Sequence, residues 1–133
     1  MTLFLDTNIL IFAMKGMFPR IMERLAASDP ERIKVPAIVL AELVCGALKS
    51  VKPGDAMKVM ERFLAPYEIV PFCKRSAMHH GQIRAHLELQ GEKIGPNDMI
   101  IAATVLAHGG TLVTHNLREF RRVSDLKVED WTE

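Results

Sequence analysis

The sequence has few cysteines, no long apolar run and almost no excess of charge of either sign. Its two cysteines, Cys45 and Cys73, have neither CxxC nor zinc-finger spacing, so we expect both to be ordinary small residues of the core. No apolar stretch approaches the roughly 18 residues of a membrane span, and the N-terminus lacks the basic segment of a signal peptide. These absences lead us to expect a cytoplasmic protein.

The charge balance argues against a protein with a uniformly basic coat. There are 17 basic and 16 acidic residues, and the net charge is +1, which leaves room only for a local basic face. The 133 residues are 49% hydrophobic and 25% charged, a composition typical of one globular domain. No repeat, linker or low-complexity tract divides the chain, so we expect a single domain over residues 1–133.

Short apolar runs alternate with amphipathic segments along the chain. The runs predict strands at 3–5, 33–35, 68–70 and 111–114, and a last one near Val128. The segments between them predict helices at 9–14, 38–49, 75–90 and 97–108, two more opening at Pro19 and Pro53, and a short basic one after the fourth strand. No two strands are hairpin-close, which favours an α/β fold: a three-layer α/β/α arrangement with a central mostly parallel sheet.

Polar residues interrupt the apolar sequence directly after the first strand. The run Leu3-Phe4-Leu5 is followed by Asp6-Thr7-Asn8 and then by a second apolar run. One such residue would serve as a helix N-cap, but three in a row exceed that need. Because open α/β sheets place their sites at the carboxyl ends of the strands, Asp6 is a candidate site residue.

A second carboxylate lies on a helix that is otherwise apolar. Glu42 is the only acidic residue between Ile38 and Ala47, and it shares a helix face with Ile38 and Cys45. An unpaired buried charge is costly, so Glu42 suggests a partner such as a cation. A solvated position at the rim of the helix is the simpler alternative.

Asp98 repeats this arrangement in the segment GPNDMIIAA. It heads a helical stripe with Ile101 and Ala102, and the helix N-terminus is expected to favour its negative charge. Asn97 could serve as the N-cap, which would leave Asp98 free. Simple stabilisation of the first helical turn is the alternative for Asp98.

Asn116 and Glu119 follow the fourth strand in the segment THNLREF. Asn116 stands at the strand end as Asp6 does, and Glu119 lies one helical turn further on. Taken singly, the pair is better explained by a plain N-cap followed by a surface glutamate, which is the pattern of a capping box.

Taken together, these acidic and amide groups come from distant segments and are all expected at one edge of one sheet. Carboxylates gathered in this way repel one another and raise each other's pKa values unless a cation neutralises them. Hard oxygen ligands of this kind suit Mg²⁺ or Mn²⁺. No set of histidines and cysteines has the spacing of a zinc site.

These motifs, in this order and spacing, resemble a PIN domain, and more narrowly the VapC toxins of bacterial toxin–antitoxin pairs. The resemblance rests on Asp6-Thr7-Asn8, the lone helical Glu42, GPNDMIIAA and THNLREF, and it extends through GQIRAHL to the closing LKVEDW. Each motif alone is weak, whereas their order is specific. The resemblance implies an α/β/α fold and a Mg²⁺- or Mn²⁺-dependent endoribonuclease.

Carried over residue by residue, the resemblance assigns roles to the candidate residues. Asp6 and Asp98 would bind the metal, and Glu42 would complete the ligand set or hold a water molecule. Many relatives carry an acidic residue where this chain has Asn116, and Glu119 would supply the missing charge. The residues expected to orient these ligands are Thr7, Asn8 and Thr114.

The resemblance also implies partners. These are a cognate VapB-like antitoxin that covers the site, a second toxin chain in a homodimer and in toxin–antitoxin hetero-oligomers, and an RNA substrate. The similar-looking enteric toxins cut initiator tRNA in the anticodon stem-loop, so tRNA is the expected substrate, and no contact with a membrane is expected.

Basic side chains beside the expected site are candidates for RNA phosphate contacts. One group is Arg118, Arg121 and Arg122, and Arg84 belongs to another; solvated helix faces are the alternative for both. Three further residues, His79, His80 and His86, lack the context of a metalloprotease motif and are expected on a helix surface. His115 lies nearer the site, with no role assigned.

Two other functions compete with the ribonuclease. A phosphatase with an aspartyl nucleophile would need a second aspartate two residues after Asp6, where this chain has Asn8. A catalytically inactive RNA-binding or interaction module with a PIN-like fold is the other. The retained carboxylates Asp6, Glu42 and Asp98 argue against it, because clustered charge is costly to keep without a purpose.

Overall fold

The computed structural model describes all residues from Met1 to Glu133. The strands are β1 Leu3–Leu5, β2 Ile33–Pro36, β3 Glu68–Val70, β4 Thr111–Val113 and β5 Lys127–Glu129. The helices are α1 Thr7–Met14, α2 Pro19–Ala27, α3 Ala37–Leu48, α4 Pro53–Leu64, α5 Lys74–Leu89, α6 Pro96–His108 and α7 Leu117–Phe120. Every predicted strand and helix is therefore present, and each predicted bound except the start of α1 lies within one residue of the observed one.

The five strands form one parallel sheet in the order β3-β2-β1-β4-β5. The chain runs from the central β1 outward through β2 to β3, then returns to the other side of β1 and continues through β4 to β5. The order of the strands therefore reverses between β1 and β4. In open α/β sheets, ligands bind outside the carboxyl ends of the strands at such a switch point.

The two central strands are covered on both faces. All three residues of β1 and all three of β4 are buried, although successive side chains of a strand point to opposite faces. Helices must therefore cover both sides of the sheet, which confirms the predicted three-layer α/β/α fold. None of the helices combines the length and the apolar character needed to cross a membrane.

A pair of glycines sets the passage from α6 into β4. Gly109 ends α6 with a φ of +68°, a left-handed conformation that suits glycine. A side chain at Gly110 would come within 2.7 Å of the Phe4 ring, so this position also needs glycine. The two residues place β4 directly against β1.

The prediction that both cysteines belong to the core is wrong, because Cys45 and Cys73 are exposed. Cys45 lies on α3, which buries the stripe Val39, Leu43 and Ala47. Because nearly all of α3 is apolar, its sequence does not distinguish the buried stripe from the neighbouring one that carries Cys45. Cys73 precedes α5, where its thiol contacts the Ser76 hydroxyl at 3.4 Å.

Candidate active site

The sheet brings the ends of β1 and β4 together at one edge. Leu5 pairs with Val113 in parallel register, so Asp6 and Thr114, the residues that follow, are neighbours across the two strands. The Asp6 backbone amide donates to the Val113 carbonyl at 3.1 Å. The switch point of the sheet is therefore lined by the residues predicted from strand ends.

The Asp6 carboxylate is buried, with only 6% of the residue exposed, and each of its two oxygens accepts a hydrogen bond. Its Oδ1 accepts a hydrogen bond from the Ile9 backbone amide at 3.1 Å, which caps α1, and its Oδ2 accepts one from the Thr114 hydroxyl. Burial raises the pKa of Asp6 to about 6 despite these two hydrogen bonds, and the charges of Glu42 and Asp130 act in the same direction. The N-cap and the site residue are thus the same carboxylate, and α1 begins at Thr7 rather than at Ile9.

Glu42 reaches the same edge from α3. The Thr7 hydroxyl donates to its Oε1 at 2.8 Å across 35 residues of sequence, so the residue after Asp6 fixes the orientation of the second carboxylate. Glu42 is half-buried at the border of the stripe that α3 packs against the core. The arrangement leaves Oε2 of Glu42 without a hydrogen-bond donor from the protein.

Asp98, Asn116 and Glu119 form a connected polar group. The Asn116 side-chain amide donates to Oδ2 of Asp98 at 3.3 Å and to Oε2 of Glu119 at 2.6 Å. The Gly95 backbone amide donates to Oε1 of Glu119 at 2.8 Å, which ties the loop before α6 to α7. Asn116 itself is fixed, because its backbone amide donates to the Thr114 hydroxyl at 3.0 Å.

The electrostatics of this group differ from the expectation for a helix N-terminus. Burial raises the pKa of Asp98 to about 7, with further contributions from the charge and hydrogen bond of Glu119 and from the charges of Asp6 and Glu42. The hydrogen bond from Asn116 lowers the pKa of Glu119. Desolvation and neighbouring carboxylates therefore outweigh the stabilisation that the start of α6 offers to a negative charge.

The structure contradicts two expectations about helix capping near these residues. Gly95, not Asn97, occupies the N-cap position of α6, with Pro96 as the first helical residue. Asn116 occupies the N-cap position of α7 but makes no capping hydrogen bond with its side chain. Because its amide is engaged by the two carboxylates instead, the capping-box interpretation of Asn116 and Glu119 is wrong.

The carboxylates surround a cavity of about 100 Å³. Its lining residues are Asp6, Thr7, Asn8, Glu42, Asp98, Ile101 and Asn116. No lysine or arginine is among them, and larger cavities elsewhere lack this concentration of oxygen atoms. Burial and the neighbouring carboxylates raise the pKa values of Asp6 and Asp98, and a cation bound between them would lower both.

The donor chemistry of this cavity fits a hard divalent ion. Carboxylate and amide oxygens are the ligands that Mg²⁺ and Mn²⁺ prefer. No three acidic, histidine or cysteine side chains come close enough to enclose an ion by themselves. Mg²⁺ commonly retains several water ligands and binds through one or two carboxylates, and the cavity has room for such a partly hydrated ion.

The predicted basic residues have different surroundings. Arg118 and Arg121 on and after α7 are exposed and make no ion pair. Arg122 donates to the Lys93 carbonyl and lies 3.6 Å from a Glu92 oxygen. Arg84 pairs with Glu88 along α5. Of these four arginines, only Arg118 and Arg121 have guanidinium groups without a protein partner, and the contact of all four with RNA stays a prediction.

One residue near the site was missed by sequence reasoning. Asp130 follows β5 as Asp6 follows β1, and its charge contributes to the raised pKa of Asp6. The rule that polar residues after a strand end belong to the site could have identified it. The three predicted histidines of α5, His79, His80 and His86, are exposed or half-buried on that helix, away from the residues that line the carboxylate cavity.

Comparison with known proteins agrees with this geometry. The PIN domain family matches residues 3–126. The tRNA(fMet)-specific endonuclease VapC of Salmonella typhimurium is 39% identical over 127 residues, covering 96% of both chains. Ribonuclease VapC2 of Haemophilus influenzae is 41% identical over 127 residues, again with 96% of both chains covered.

Solved structures give the same result at the level of the fold. The chain superposes on DNA-bound VapBC from Salmonella typhimurium with a TM-score of 0.93 at 38% identity, covering 98% of both chains. VapBC-1 from nontypeable Haemophilus influenzae gives a TM-score of 0.90 at 33% identity over the full length of both chains. From the sequence match, the shared fold and the carboxylates at the switch point, the chain belongs to the PIN-domain family and, within it, to the VapC ribonucleases.

Proposed function

We propose that this protein is the toxin of a toxin–antitoxin pair, an endoribonuclease that hydrolyses RNA phosphodiester bonds in the cytoplasm. The whole chain, residues 1–133, acts as one domain. The observation that carries the proposal is the convergence of Asp6, Glu42, Asp98 and Glu119, from four distant segments, at the switch point of the sheet. This constellation suits a reaction at an anionic phosphate only when a divalent ion is present to balance the charge.

Initiator tRNA is the proposed substrate, cut in the anticodon stem-loop. The support comes from relatives at 39% and 38% identity that are named tRNA(fMet)-specific endonucleases. Arg118 and Arg121 are proposed to contact RNA phosphates, since their guanidinium groups are exposed beside α7 and have no partner in the protein. Such contacts add affinity that does not depend on sequence.

The metal is proposed to be Mg²⁺ or Mn²⁺, held by Asp6 and Asp98. When bound, it would supply positive charge to the phosphate oxygens and acidify water. Asp6 is positioned for this role by the Thr114 hydroxyl and the Ile9 amide, and Asp98 by Asn116. Each ligand is thus oriented by a neighbouring donor, as metal ligands usually are.

Glu42 is proposed to accept a proton from the attacking water. The Thr7 hydroxyl occupies its Oε1 at 2.8 Å, so Oε2 remains available toward the cavity. Glu119 and Asn116 hold Asp98 in place through the hydrogen bonds of the amide group. Asn8, exposed at the mouth of the cavity, is proposed to orient a ligand through its amide.

The antitoxin is proposed to bind along an apolar groove that ends at the site. This groove of about 420 Å³ runs between α1, α3 and α4 and includes Glu42 at one end. An apolar segment of the antitoxin would fill the groove, and a basic side chain beyond it would reach the carboxylates. A homodimer of the toxin is also proposed, and light scattering of the purified toxin and complex would test it.

Cleavage of initiator tRNA by the purified protein in Mn²⁺ and in EDTA tests the function. We expect cleavage only with the metal, and none by Asp98→Asn, whose amide lacks the charge that a hard ion needs. Asp55→Asn, an exposed residue in the first turn of α4, is the matched control and should cleave normally. Full activity of Asp98→Asn in Mn²⁺ would refute the assignment of the site.

A further inference from the structure

Three aromatic rings form a cluster beside the carboxylate site. The ring centroids of Phe12 and Phe18 are 5.0 Å apart, and the His115 ring lies 6.2 Å from Phe12 and 6.1 Å from Phe18. Both phenylalanines are half-buried, and the His115 side chain is 52% exposed. The cluster therefore presents aromatic surface to solvent instead of contributing only to the core.

The cluster is connected to the site through the backbone. His115 directly precedes Asn116, which holds Asp98 and Glu119. Phe12 lies on α1, the helix that Asp6 caps, about 9 Å further along the axis at 1.5 Å per residue. A strand of RNA whose phosphate lies at the carboxylates would therefore pass over or beside these rings.

The His115 ring is held in a fixed orientation. Its Nδ1 lies 2.9 Å from Oδ2 of Asp130 and 3.2 Å from the Thr132 hydroxyl. Partial burial acts to raise the pKa of Asp130, but hydrogen bonds from Thr132 and His115 hold it below its ordinary value. An ionised Asp130 can only accept a hydrogen bond, so Nδ1 donates its proton to Asp130 and Nε2 is the ring nitrogen available to a ligand. Nε2 has no hydrogen-bond partner in the protein.

Phe18 occupies its position at a conformational cost. Its φ is +52°, a left-handed conformation that bulky residues rarely adopt, and it stands at the N-cap position of α2 without making a capping hydrogen bond. Glycine or asparagine would relieve the strain there. The ring placed against Phe12 is what this conformation provides.

We propose that Phe12, Phe18 and His115 form a binding platform for one unpaired nucleobase of the RNA substrate, next to the nucleotide that is cut. This proposal rests on the proposed ribonuclease function. Proteins recognise single-stranded RNA by stacking its unpaired bases on aromatic side chains and by hydrogen bonds to the base edges. The phenylalanines supply the stacking surface, and Nε2 of His115 forms a hydrogen bond with the base edge.

A test couples protein and RNA substitutions. Full-length Asp98→Asn protein, which leaves the RNA uncut, is titrated with a synthetic anticodon stem-loop of initiator tRNA, and the affinity is read by fluorescence anisotropy. The titration is repeated with a series of stem-loops, each with one abasic nucleotide in the loop. Every stem-loop is also titrated with the protein that carries Phe12→Leu in addition to Asp98→Asn, and with the protein that carries Phe18→Leu in addition to Asp98→Asn. The matched control is Phe63→Leu, because Phe63 is a residue of α4 whose half-buried ring packs against the Tyr67 ring.

We expect one abasic position to weaken binding by about 5- to 150-fold, the range given by base–aromatic stacking. With Phe18→Leu or Phe12→Leu present, the same abasic position should cost less than about 2-fold, because the stacking partner is already lost. Phe63→Leu should leave the full effect. With His115→Phe, the affinity loss at the abasic position should still depend on Phe12 and Phe18. Stem-loops that carry each of the four bases at that position should then differ less in affinity than they do with His115 present.

The platform proposal is wrong if the affinity loss at every abasic position is the same with and without Phe12 and Phe18, or if the protein does not bind the stem-loop. It is also wrong if Phe63→Leu reduces the affinity loss as much as Phe12→Leu or Phe18→Leu does. The two proposals fail in different ways. If the unsubstituted protein cleaves the stem-loop in Mn²⁺ but no abasic position depends on the two rings, the ribonuclease proposal stands and the platform proposal fails. If one abasic position depends on the rings but the stem-loop is not cleaved, the platform proposal stands and the ribonuclease proposal fails.

Discussion

Replacing Asp6 by asparagine should make the metal-free protein more stable at pH 8. The pKa of Asp6 is raised from 3.8 to about 6, so the folded state holds a proton that the unfolded chain has released. The contribution of this proton to the free energy of unfolding is fully present below pH 3.8 and is lost as the pH rises through 6. At about 1.4 kcal/mol per tenfold change in the dissociation constant, ionised Asp6 costs the folded state about 3 kcal/mol.

The asparagine removes this cost and keeps most of the local structure. Asn can cap α1 in place of Asp, whereas the hydrogen bond from the Thr114 hydroxyl is weakened, at about 1 kcal/mol. The net gain at pH 8 is then about 2 kcal/mol, which raises the midpoint of thermal unfolding by about 6 to 10 °C. At pH 4 the gain disappears, since Asp6 is then largely protonated in the folded protein.

Urea unfolding in EDTA between pH 4 and pH 8 measures this difference, with Asp55→Asn as the control for a simple loss of surface charge. The difference between Asp6→Asn and the unsubstituted protein should grow from pH 4 to pH 8. Adding Mn²⁺ should reverse the order at pH 8, because only the carboxylate gains the metal. The reasoning is refuted if Asp6→Asn is the less stable protein at pH 8 in EDTA, or if the difference does not vary with pH.

Three further changes test other parts of the site. Asn116→Asp adds a charged oxygen and should tighten Mn²⁺ binding in calorimetry without moving the cleavage position; unchanged or weaker affinity would show that this side chain does not serve the metal. Thr7→Val removes the donor to Glu42 and should lower kcat about 10-fold or more at an unchanged unfolding midpoint, so equal kcat would remove Thr7 from the mechanism. Replacing the basic residue of the antitoxin by Ala should weaken inhibition while the complex survives, and high Mn²⁺ should partly restore cleavage of RNA; full inhibition at every Mn²⁺ concentration would show that the antitoxin acts by burial alone.

The order of elements and the edge that carries the site were predictable from local pattern. A strand as apolar as Leu3–Leu5 must be buried on both faces, so the residue after it is the first position that suits a polar side chain. The same reasoning placed Asp6 and Asn116 at strand ends and would have placed Asp130 there. Alternating strands and helices then required a parallel sheet, so these ends had to meet at one edge.

The chemical state of the site depended on contacts between distant segments. The hydrogen bond from Thr114 to Asp6 joins residues 108 apart, and the partners of Asn116 lie on α6 and α7. The sequence predicted two opposed effects on Asp98, a charge stabilised by the start of α6 and a pKa raised by neighbouring carboxylates. The packing decides between them, because burial and Glu119 raise the pKa. Sequence reasoning also placed Cys45 in the core, since an almost wholly apolar helix does not show which of its stripes faces the sheet. Periodicity and capping act over a few residues, and sequence reports them directly; desolvation and charge repulsion act through space, and only the packed structure determines them.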